Sequence, residues 1–167
     1  IIKLLNLHYD RAIREILKQD GIIGSIIGDA LLAVFGALED STQNKSMQAI
    51  QAAYKVQDVT RSLRERMGQI KERLEENEGR LTGDELKVYK AVLLEVGVGI
   101  DGGEVFYGTL GSYVRMTNTV IGDTVNAASR LEGLTRIYRA PVICSEFVKN
   151  DIDSNVQNHG IHFLEID

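Results

Sequence analysis

The N-terminal part of the chain changes from a helical to a strand-like pattern of hydrophobic positions. Over residues 1–19 the leucines and isoleucines recur at intervals of three and four, the spacing of one helix face. Asp20-Gly21 then ends the helix, because glycine is common just past a helix end. Two continuous apolar runs follow within residues 22–36, and Gly28-Asp29 separates them as a hairpin turn. Such runs are typical of strands buried on both faces, so we predict a helix and then a buried β-hairpin.

A second, longer helical pattern extends over about residues 45–78. Its apolar residues again recur in steps of three and four, while residues 61–80 are rich in arginine, lysine and glutamate. This pattern is typical of a short coiled-coil or helical-hairpin seam, and Gly79 and Gly83 predict a turn before a further helical segment. We interpret residues 60–92 as a helical insertion that packs on its own chain. A regulatory or partner-docking arm is the alternative interpretation.

Three strands and a helix are predicted in the stretch that follows. Apolar residues alternate with glycines at residues 96–100, and Asp101-Gly102-Gly103 is a turn signal that predicts a tight hairpin. Alternation continues at residues 105–109, and residues 116–121 form a third strand. Asp123 then stands where its carboxylate can cap the following helix.

The C-terminal part predicts a strand, a helix and a last strand. Residues 141–144 form a short strand, Ser145 caps a helix that ends near Val148, residues 150–159 are a polar loop, and residues 161–166 alternate as a strand. With one further strand assumed before the first helix, this order predicts an α/β (α+β) sandwich. Its sheet is mostly antiparallel and its helices pack on one face.

The composition is that of an ordinary, acidic globular domain. The chain has 167 residues, a net charge of −5 and an apolar fraction of 44%. This length is enough for one domain to bury its own core. The acidic balance argues against nucleic-acid binding, which needs a basic surface. Cys144 is the only cysteine, so the chain forms no internal disulfide and a reducing compartment is favoured.

No stretch has the length and uniform hydrophobicity of a signal peptide or a membrane span. The most apolar run, residues 22–38, is interrupted by glycines and by Asp29. Because the chain starts with Ile, we expect it to be a piece of a longer protein, truncated at both ends. We place it in the cytoplasm, or at the cytoplasmic face of a membrane that is reached only through regions outside this chain.

Two places carry polar groups suited to chemistry. Asp29 brings a carboxylate to a turn, although Gly-Asp is frequent in turns that have no other role. On the helix after residue 122, Asn126 and Arg130 lie four residues apart and are therefore neighbours on the polar face. An amide beside a guanidinium can orient a sugar and hold phosphate oxygens, because arginine offers a planar fork of donors. The alternative is the ordinary solvated face of an amphipathic helix.

Three blocks of the sequence, taken in order, resemble the catalytic domains of class III nucleotidyl (adenylyl and guanylyl) cyclases. The hallmark block is IGDTVNAASRLEGL at residues 121–134, which follows VGIDGGEV at residues 98–105 and IGDALLAVFG at residues 27–36. The resemblance covers most of the chain except about residues 60–92 and the two ends. It implies a single domain over residues 1–167 with the ferredoxin-like sandwich of that family.

The resemblance also implies an activity and the residues that serve it. Family members convert a nucleoside triphosphate into a 3′,5′-cyclic monophosphate and pyrophosphate with two Mg²⁺ or Mn²⁺ ions per site. By their places in the motifs, Asp29 is expected to bind metal, Asn126 to orient the ribose and Arg130 to stabilise charge on the phosphates. In this family the metal carboxylates and the Asn/Arg pair of one site come from different chains. A homodimer with its sites at the interface is therefore expected.

Ser25 and Thr119 occupy the positions that select the base in this family. Adenylyl cyclases usually have Lys at the first position and Asp or Thr at the second, whereas guanylyl cyclases have Glu and Cys. Thr119 fits the adenylyl pattern, and Ser25 fits neither, because a hydroxyl group both donates and accepts hydrogen bonds. We expect ATP as the substrate, with GTP as the alternative.

Two features of the family are absent from these residues. The Asp-Ile-x-Gly-Phe-Thr motif, which carries the first metal aspartate, does not occur, and Asp10 lies in a helical pattern with other neighbours. The lysine near the C-terminus that usually contacts phosphate is also missing. We therefore expect the complete protein to be active and this fragment to be poorly active or inactive.

Two other classes of function stay open at this stage. One is a catalytically silent cyclase-like module that dimerises and regulates a neighbouring domain. The other is a ferredoxin-like module for RNA or a ligand, which would expose aromatic strand residues such as Phe106 and Tyr107 beside a basic face. The net charge of −5 speaks against RNA.

Overall fold

The structure, a computed structural model, consists of five helices and six strands in the residues that it describes, which are 2–38, 41–92 and 95–166. The helix predicted near the N-terminus, the long helix over residues 45–78 and the mixed α/β class are confirmed. In chain order the elements are α1 (Ile2–Lys18), β1 (Gly21–Ile27), β2 (Ala30–Phe35), α2 (Lys45–Glu78), α3 (Gly83–Val92), β3 (Val98–Ile100), β4 (Phe106–Ser112), β5 (Arg115–Ile121), α4 (Asp123–Tyr138), β6 (Val142–Cys144) and α5 (Glu146–Asn155).

The first half of α2 lies at the centre of the core and contacts two clusters of buried residues. On one side Ala52 and Val56 pack against α1 through Ala12 and Ile16. On the other side α2 packs against β3 and α5, through Ala49, Ile50, Ala53, Ile100, Val148 and Ile152. Ala49, Ala52 and Ala53 of α2 let the neighbouring elements approach closely, because their small side chains leave little distance between the backbones. This half of α2 therefore joins the N-terminal hairpin to the rest of the domain.

The predicted N-terminal hairpin is confirmed, with Gly28-Asp29 as its turn. Strands β1 and β2 pair antiparallel from Gly21↔Phe35 to Ile27↔Ala30. The expectation that both faces are buried is wrong near the tip, where Ile26 and Ile27 are 55% and 67% exposed. The α1–α2 cluster covers one face of the hairpin, because the hairpin residues that pack against it, Ile23, Leu31, Ala33 and Phe35, share that face.

The pairing of the central strands differs from the prediction. Strand β3 pairs in parallel with β6, and the antiparallel ribbon consists of β4 and β5, so the tight hairpin predicted at residues 101–103 is wrong. The glycines there lead the chain out of β3 toward a separate ribbon. Strand β5 also packs beside β1, because a β-carbon added at Gly24 would lie 2.7 Å from Cγ2 of Val120. In the part of the chain that the structure describes, the strands form three two-stranded sheets, and two of these pairs are antiparallel.

The ends of α4 and α5 also correct the prediction. Gly122, not Asp123, is the N-cap of α4, and Asp123 is the first helical residue and makes no capping hydrogen bond. Its carboxylate still favours the helix, because negative charge is stabilising in the first turn. Ser145 is the N-cap of α5, again without a side-chain bond, and α5 continues to Asn155 through residues predicted as loop. Val148 and Ile152 are four residues apart and both are buried, so their packing on one helix face stabilises α5 although most of its other residues are polar.

The last predicted strand is wrong within the described residues. Residues 156–166 contain no strand, although Ile161 and Phe163 pack against the core cluster around α5. Alternating apolar residues therefore reflect one-sided packing of an irregular segment here. Among the described helices, none combines the length and hydrophobicity that crossing a bilayer requires.

The helical hairpin after the core half of α2 is confirmed. Helix α2 continues to Glu78 and α3 packs back against it after the turn at Gly79, whose φ is 78°. Thr82 begins α3 with a capping box: the Glu85 carboxylate accepts hydrogen bonds from both the backbone N–H and the hydroxyl of Thr82 at 2.7 Å. The hydrogen bonds from Thr82 lower the pKa of Glu85.

Candidate functional site

Asp29 lies at the exposed tip of the β1–β2 hairpin. The turn places Gly28 at a φ of 61°, a conformation that glycine adopts without steric cost, and this directs the next residue away from the core. Tyr9 of α1 contacts the turn, with its hydroxyl 3.4 Å from the carbonyl oxygen of Gly28. Within the described part of the chain the Asp29 carboxylate takes part in no hydrogen bond or ion pair. The carboxylate is therefore free to bind a ligand.

Asn126 and Arg130 lie on the exposed face of α4, as the periodicity predicted. The opposite face rests on β3 at Gly99, where an added β-carbon would collide with the Ala128 carbonyl oxygen and the Glu132 amide nitrogen. Asn126 and Arg130 are each two positions from Ala128. Two positions correspond to a rotation of about 200° around the helix axis, so both residues lie on the side opposite Ala128. The close contact with β3 therefore fixes both side chains on the side of α4 that faces away from the sheet.

Ser25 and Thr119 lie on neighbouring strands, β1 and β5. The residues beside them, Gly24 and Val120, are in contact, with Cγ2 of Val120 against the backbone of Gly24. A β-bulge at Gly24 shifts the register, so that Ile23 pairs with Ala33 and Ser25 with Leu32. A bulge of this kind redirects the side chain that follows it. Ser25 and Thr119 thus lie on strands that contact one another, and both are half-buried.

The predicted site residues form two groups within one chain. Asn126 and Arg130 share α4, which follows the Thr119 strand directly through Gly122. Asp29 is at the hairpin tip, and no hydrogen bond or ion pair links it to Asn126 or Arg130 in the described chain.

The metal site that the family resemblance implies stays a prediction. Among the described residues no three His, Cys, Asp or Glu side chains lie close enough together to hold a metal ion. Asp29 offers one unpaired carboxylate, which suits Mg²⁺ as a single protein ligand beside water and phosphate oxygens. A metal ion at Asp29 would therefore need further ligands beyond those that the described residues bring together.

Sequence reasoning missed two features that bear on the site. The first is the Gly24 bulge, for which the signal was a lone glycine inside a strand pattern. The second is the exposure of the β4–β5 ribbon, where every residue of β4 is exposed. Its exposed apolar residues are Phe106, Tyr107, Leu110, Tyr113, Val114 and Ile121. An apolar surface of this kind marks an interaction site more often than a monomer surface.

Comparison with known proteins identifies the family of the chain. Residues 1–146 match the model of the family described as the adenylate and guanylate cyclase catalytic domain. The chain is 27% identical to the terminal-differentiation-specific adenylate cyclase of Dictyostelium discoideum over 99% of its length, and 32% identical to an adenylate cyclase of Anabaena cylindrica over 91%. It spans only 7% and 26% of those two relatives, respectively.

A solved structure shows the same fold. The structure of a bacterial light-regulated adenylyl cyclase superimposes with a TM-score of 0.66 and 25% identity, over 94% of this chain and 68% of the other. The three motif blocks, the hairpin that carries Asp29 and the helix that carries Asn126 and Arg130 all lie within the matched family region. The chain belongs to the family of adenylate and guanylate cyclase catalytic domains.

Proposed function

We propose that the protein containing this domain converts ATP into 3′,5′-cyclic AMP and pyrophosphate in signal transduction. The observation that carries the proposal is the placement of Asn126 and Arg130, side by side on an exposed helix face fixed by the contact of α4 with β3. Membership of the cyclase family supports the reaction class. Two relatives named adenylate cyclase support ATP over GTP.

The chemistry is an intramolecular displacement at phosphorus. The ribose 3′-hydroxyl loses its proton to solvent, its oxygen forms a bond to the α-phosphorus, the bond from that phosphorus to the bridging oxygen breaks, and pyrophosphate leaves. The Asn126 amide hydrogen-bonds the ribose and holds its 3′-hydroxyl in line with the leaving group, which lowers the entropic part of the barrier. The Arg130 guanidinium hydrogen-bonds phosphate oxygens, whose negative charge grows toward the transition state.

Asp29 is proposed as one ligand of Mg²⁺ or Mn²⁺, with the remaining ligands coming from substrate phosphates, water and a second carboxylate that these residues lack. When bound, two such ions would lower the pKa of the 3′-hydroxyl and neutralise the pyrophosphate. The contribution of this chain is an unpaired carboxylate at a hairpin tip, away from the apolar core.

Ser25 and Thr119 are proposed to contact the base from neighbouring strands. The family pattern gives guanylyl cyclases Glu and Cys at these positions. We therefore expect the double variant Ser25→Glu, Thr119→Cys to raise the ratio of kcat/KM for GTP to that for ATP by at least about tenfold, because exchanging one pair of base hydrogen bonds is worth more than 1.4 kcal/mol. Rates with both nucleotides check this, and an unchanged ratio would remove these residues from base recognition.

The active unit is proposed to be a homodimer in which Asp29 of one chain and Asn126 and Arg130 of the other serve the same site. Within the described residues of one chain no hydrogen bond or ion pair joins the two groups, which is consistent with this division. The apolar surface of the β4–β5 ribbon supplies a surface for pairing. A two-fold dimer makes two equivalent sites of this kind.

Mixing two inactive variants tests both the reaction and the division of the site. In the natural protein that contains these residues, Asp29→Ala and Arg130→Ala are each expected to abolish cyclic AMP formation. When the two are mixed and allowed to exchange subunits, half of the dimers carry both variants. One of the two sites in such a dimer is intact, so activity should return to about one quarter of the unmodified value.

Controls separate the possible failures. A mixture of Asn126→Ala with Arg130→Ala should stay inactive, because both changes are on the same side of the site and no intact site forms. Recovery in that control, or no recovery in the first mixture despite proven subunit exchange, would contradict the shared site. An unmodified natural protein that forms no cyclic nucleotide from ATP or GTP would contradict the enzyme and favour a silent regulatory module.

A further inference from the structure

A groove between the second half of α2 and α3 is not part of the cyclase site. It has a volume of about 270 Å³, close to the lower limit of the roughly 300–1,000 Å³ typical of small-molecule sites. Met67 and Gly68 line it from α2, and Leu86 and Tyr89 line it from α3. We refer to these four residues as the apolar floor.

The floor stays open because of one missing side chain. Gly68 is exposed in the interior of α2, where glycine weakens a helix, and a β-carbon added there would meet no atom within 4 Å. Leu86, the floor residue that faces Gly68 from α3, remains 39% exposed. An apolar ligand of small size could therefore enter without displacing any part of the chain and would remove this surface from water.

Three cationic side chains line the floor, although burial and the nearby carboxylates of Glu85 and Glu75 raise the pKa of Tyr89. Arg64, Lys71 and Lys90 line the groove, and we refer to them as the cationic rim; none of the described lining residues is acidic. Arg64 and Lys90 form no ion pair in the described chain, and Lys71 approaches the nearest carboxylate, that of Glu75, only to 3.8 Å. Three cations around one groove are notable in a chain with a net charge of −5, and they would attract an anion.

We propose that this groove binds a small amphipathic anion, with its apolar body on the floor and a single carboxylate, sulfonate or phosphate group against the cationic rim. The volume suits a body of one or two rings or a short alkyl chain, not a peptide helix or a membrane surface. The inference is independent of the cyclase reaction, since none of the groove residues belongs to the proposed catalytic site.

Methionine-methyl NMR gives a site-specific test. The protein has three methionines, Met47, Met67 and Met116, of which Met67 is on the floor and Met47 packs against the core. The probe is 2-naphthoate, and its matched control is 2-naphthylmethanol, which has a similar shape and no charge. We expect 2-naphthoate to shift the Met67 signal saturably and to leave Met47 unmoved. The alcohol should bind about threefold more weakly for each rim cation that the carboxylate engages.

Variants test the contributions of the apolar floor and of the cationic rim separately. Gly68→Leu should fill the floor and abolish the Met67 shift, whereas Gly133→Leu, a change at an exposed glycine of α4 that is also open, should not. Arg64→Gln and Lys90→Gln should each weaken 2-naphthoate binding about threefold and leave binding of the alcohol unchanged. Circular dichroism confirms the fold of each variant, and the glutamine variants carry the test if Gly68→Leu does not fold.

Several outcomes would overturn the proposal. One is a Met67 signal that stays unmoved at millimolar 2-naphthoate, and another is equal binding of acid and alcohol. A Met67 signal that shifts with protein concentration alone would show that a second copy covers the groove. Binding of anionic lipid vesicles without binding of 2-naphthoate would show a membrane surface instead.

Discussion

Gly99 sets the distance between α4 and the sheet, and with it the position of Asn126 and Arg130. Any β-carbon at this residue would collide with backbone atoms of α4 at Ala128 and Glu132. Backbone cannot move aside as a flexible side chain can, so we expect Gly99→Ala to lower the free energy of unfolding by about 1–3 kcal/mol, the usual cost of overpacking. Chemical denaturation measures this, and cyclic nucleotide formation should fall as well because α4 shifts.

Gly133→Ala on the same helix is the matched control. An added β-carbon there meets no atom within 4 Å, and alanine favours helix over glycine by about 1 kcal/mol. This variant should therefore be as stable as the unmodified chain or more so. Equal stability of Gly99→Ala and Gly133→Ala would contradict the close contact of α4 with β3.

His8 is a half-buried histidine whose role is structural. The Thr60 hydroxyl donates to the Val56 carbonyl oxygen, so His8 Nε2, at 2.9 Å, donates its proton to the Thr60 oxygen. Burial lowers the pKa of His8 below its usual 6.5, because the charged form loses solvation. The unfolded state therefore binds the proton more readily, and stability is lost as the pH falls below about 6.5 toward the folded-state pKa.

We expect His8→Gln to reduce this pH dependence, because glutamine keeps a donor for Thr60 and does not titrate. The free energy of unfolding, measured between pH 7.5 and 5, should fall more for the unmodified chain than for the variant. Parallel curves would show that His8 does not couple folding to pH.

At the scale of elements, α2 has two halves with different roles. None of the buried residues in the two core clusters lies within residues 66–88. Five of them belong to the first half of α2, namely Ala49, Ile50, Ala52, Ala53 and Val56. The second half of α2 packs against α3, with Met67 and Gly68 beside Leu86 and Tyr89. We therefore predict that replacing residues 66–88 by a short glycine–serine linker leaves a cooperatively folded domain.

The shortened chain should lose helical ellipticity in proportion to the residues removed, and it should keep its near-ultraviolet circular dichroism and a single unfolding transition. An exchange of the same residues for a scrambled sequence of equal composition is the control for chain length. Loss of the cooperative transition in the linker variant would show that residues 66–88 are part of the core and not an insertion.

At the scale of the whole molecule, the exposed ribbon predicts self-association. Phe106, Leu110 and Ile121 share one face, because Phe106 and Leu110 are four residues apart on β4 and Ile121 pairs with Phe106. Phe106 and Leu110 are 80% and 63% exposed in the single chain. Burying one such side chain is worth about 1.5–3 kcal/mol, so Phe106→Ser with Leu110→Ser should raise the dimer Kd at least about tenfold.

Sedimentation velocity over a range of protein concentrations measures the dimer Kd. The specific activity of the natural protein should fall on dilution through the concentrations at which the dimer dissociates. Leu164→Ser is the matched control, since Leu164 is 89% exposed and lies outside the ribbon. A Kd that is unchanged in the double variant, or activity that is independent of protein concentration through dissociation, would contradict the proposed dimer.

Local features of this protein could be predicted from its sequence because short-range forces decide them. The helical spacing at residues 45–78, the Gly28-Asp29 turn and the polar face that carries Asn126 and Arg130 depend on neighbours within a few residues. The motif blocks identified the family for the same reason, since they are continuous in the chain. The roles of Asp29, Ser25, Thr119, Asn126 and Arg130 remain predictions that the proposed experiments test.

Only the tertiary structure decided features that depend on contacts between distant segments. The pairing of β3 with β6, and not with its neighbour in sequence, depends on burial against α2, α4 and α5 that no local pattern records. The same holds for the contact of β5 with β1, which brings Val120 against the bulged residue Gly24. Periodicity describes which residues prefer to be buried, and the partners that bury them are fixed when the whole chain folds.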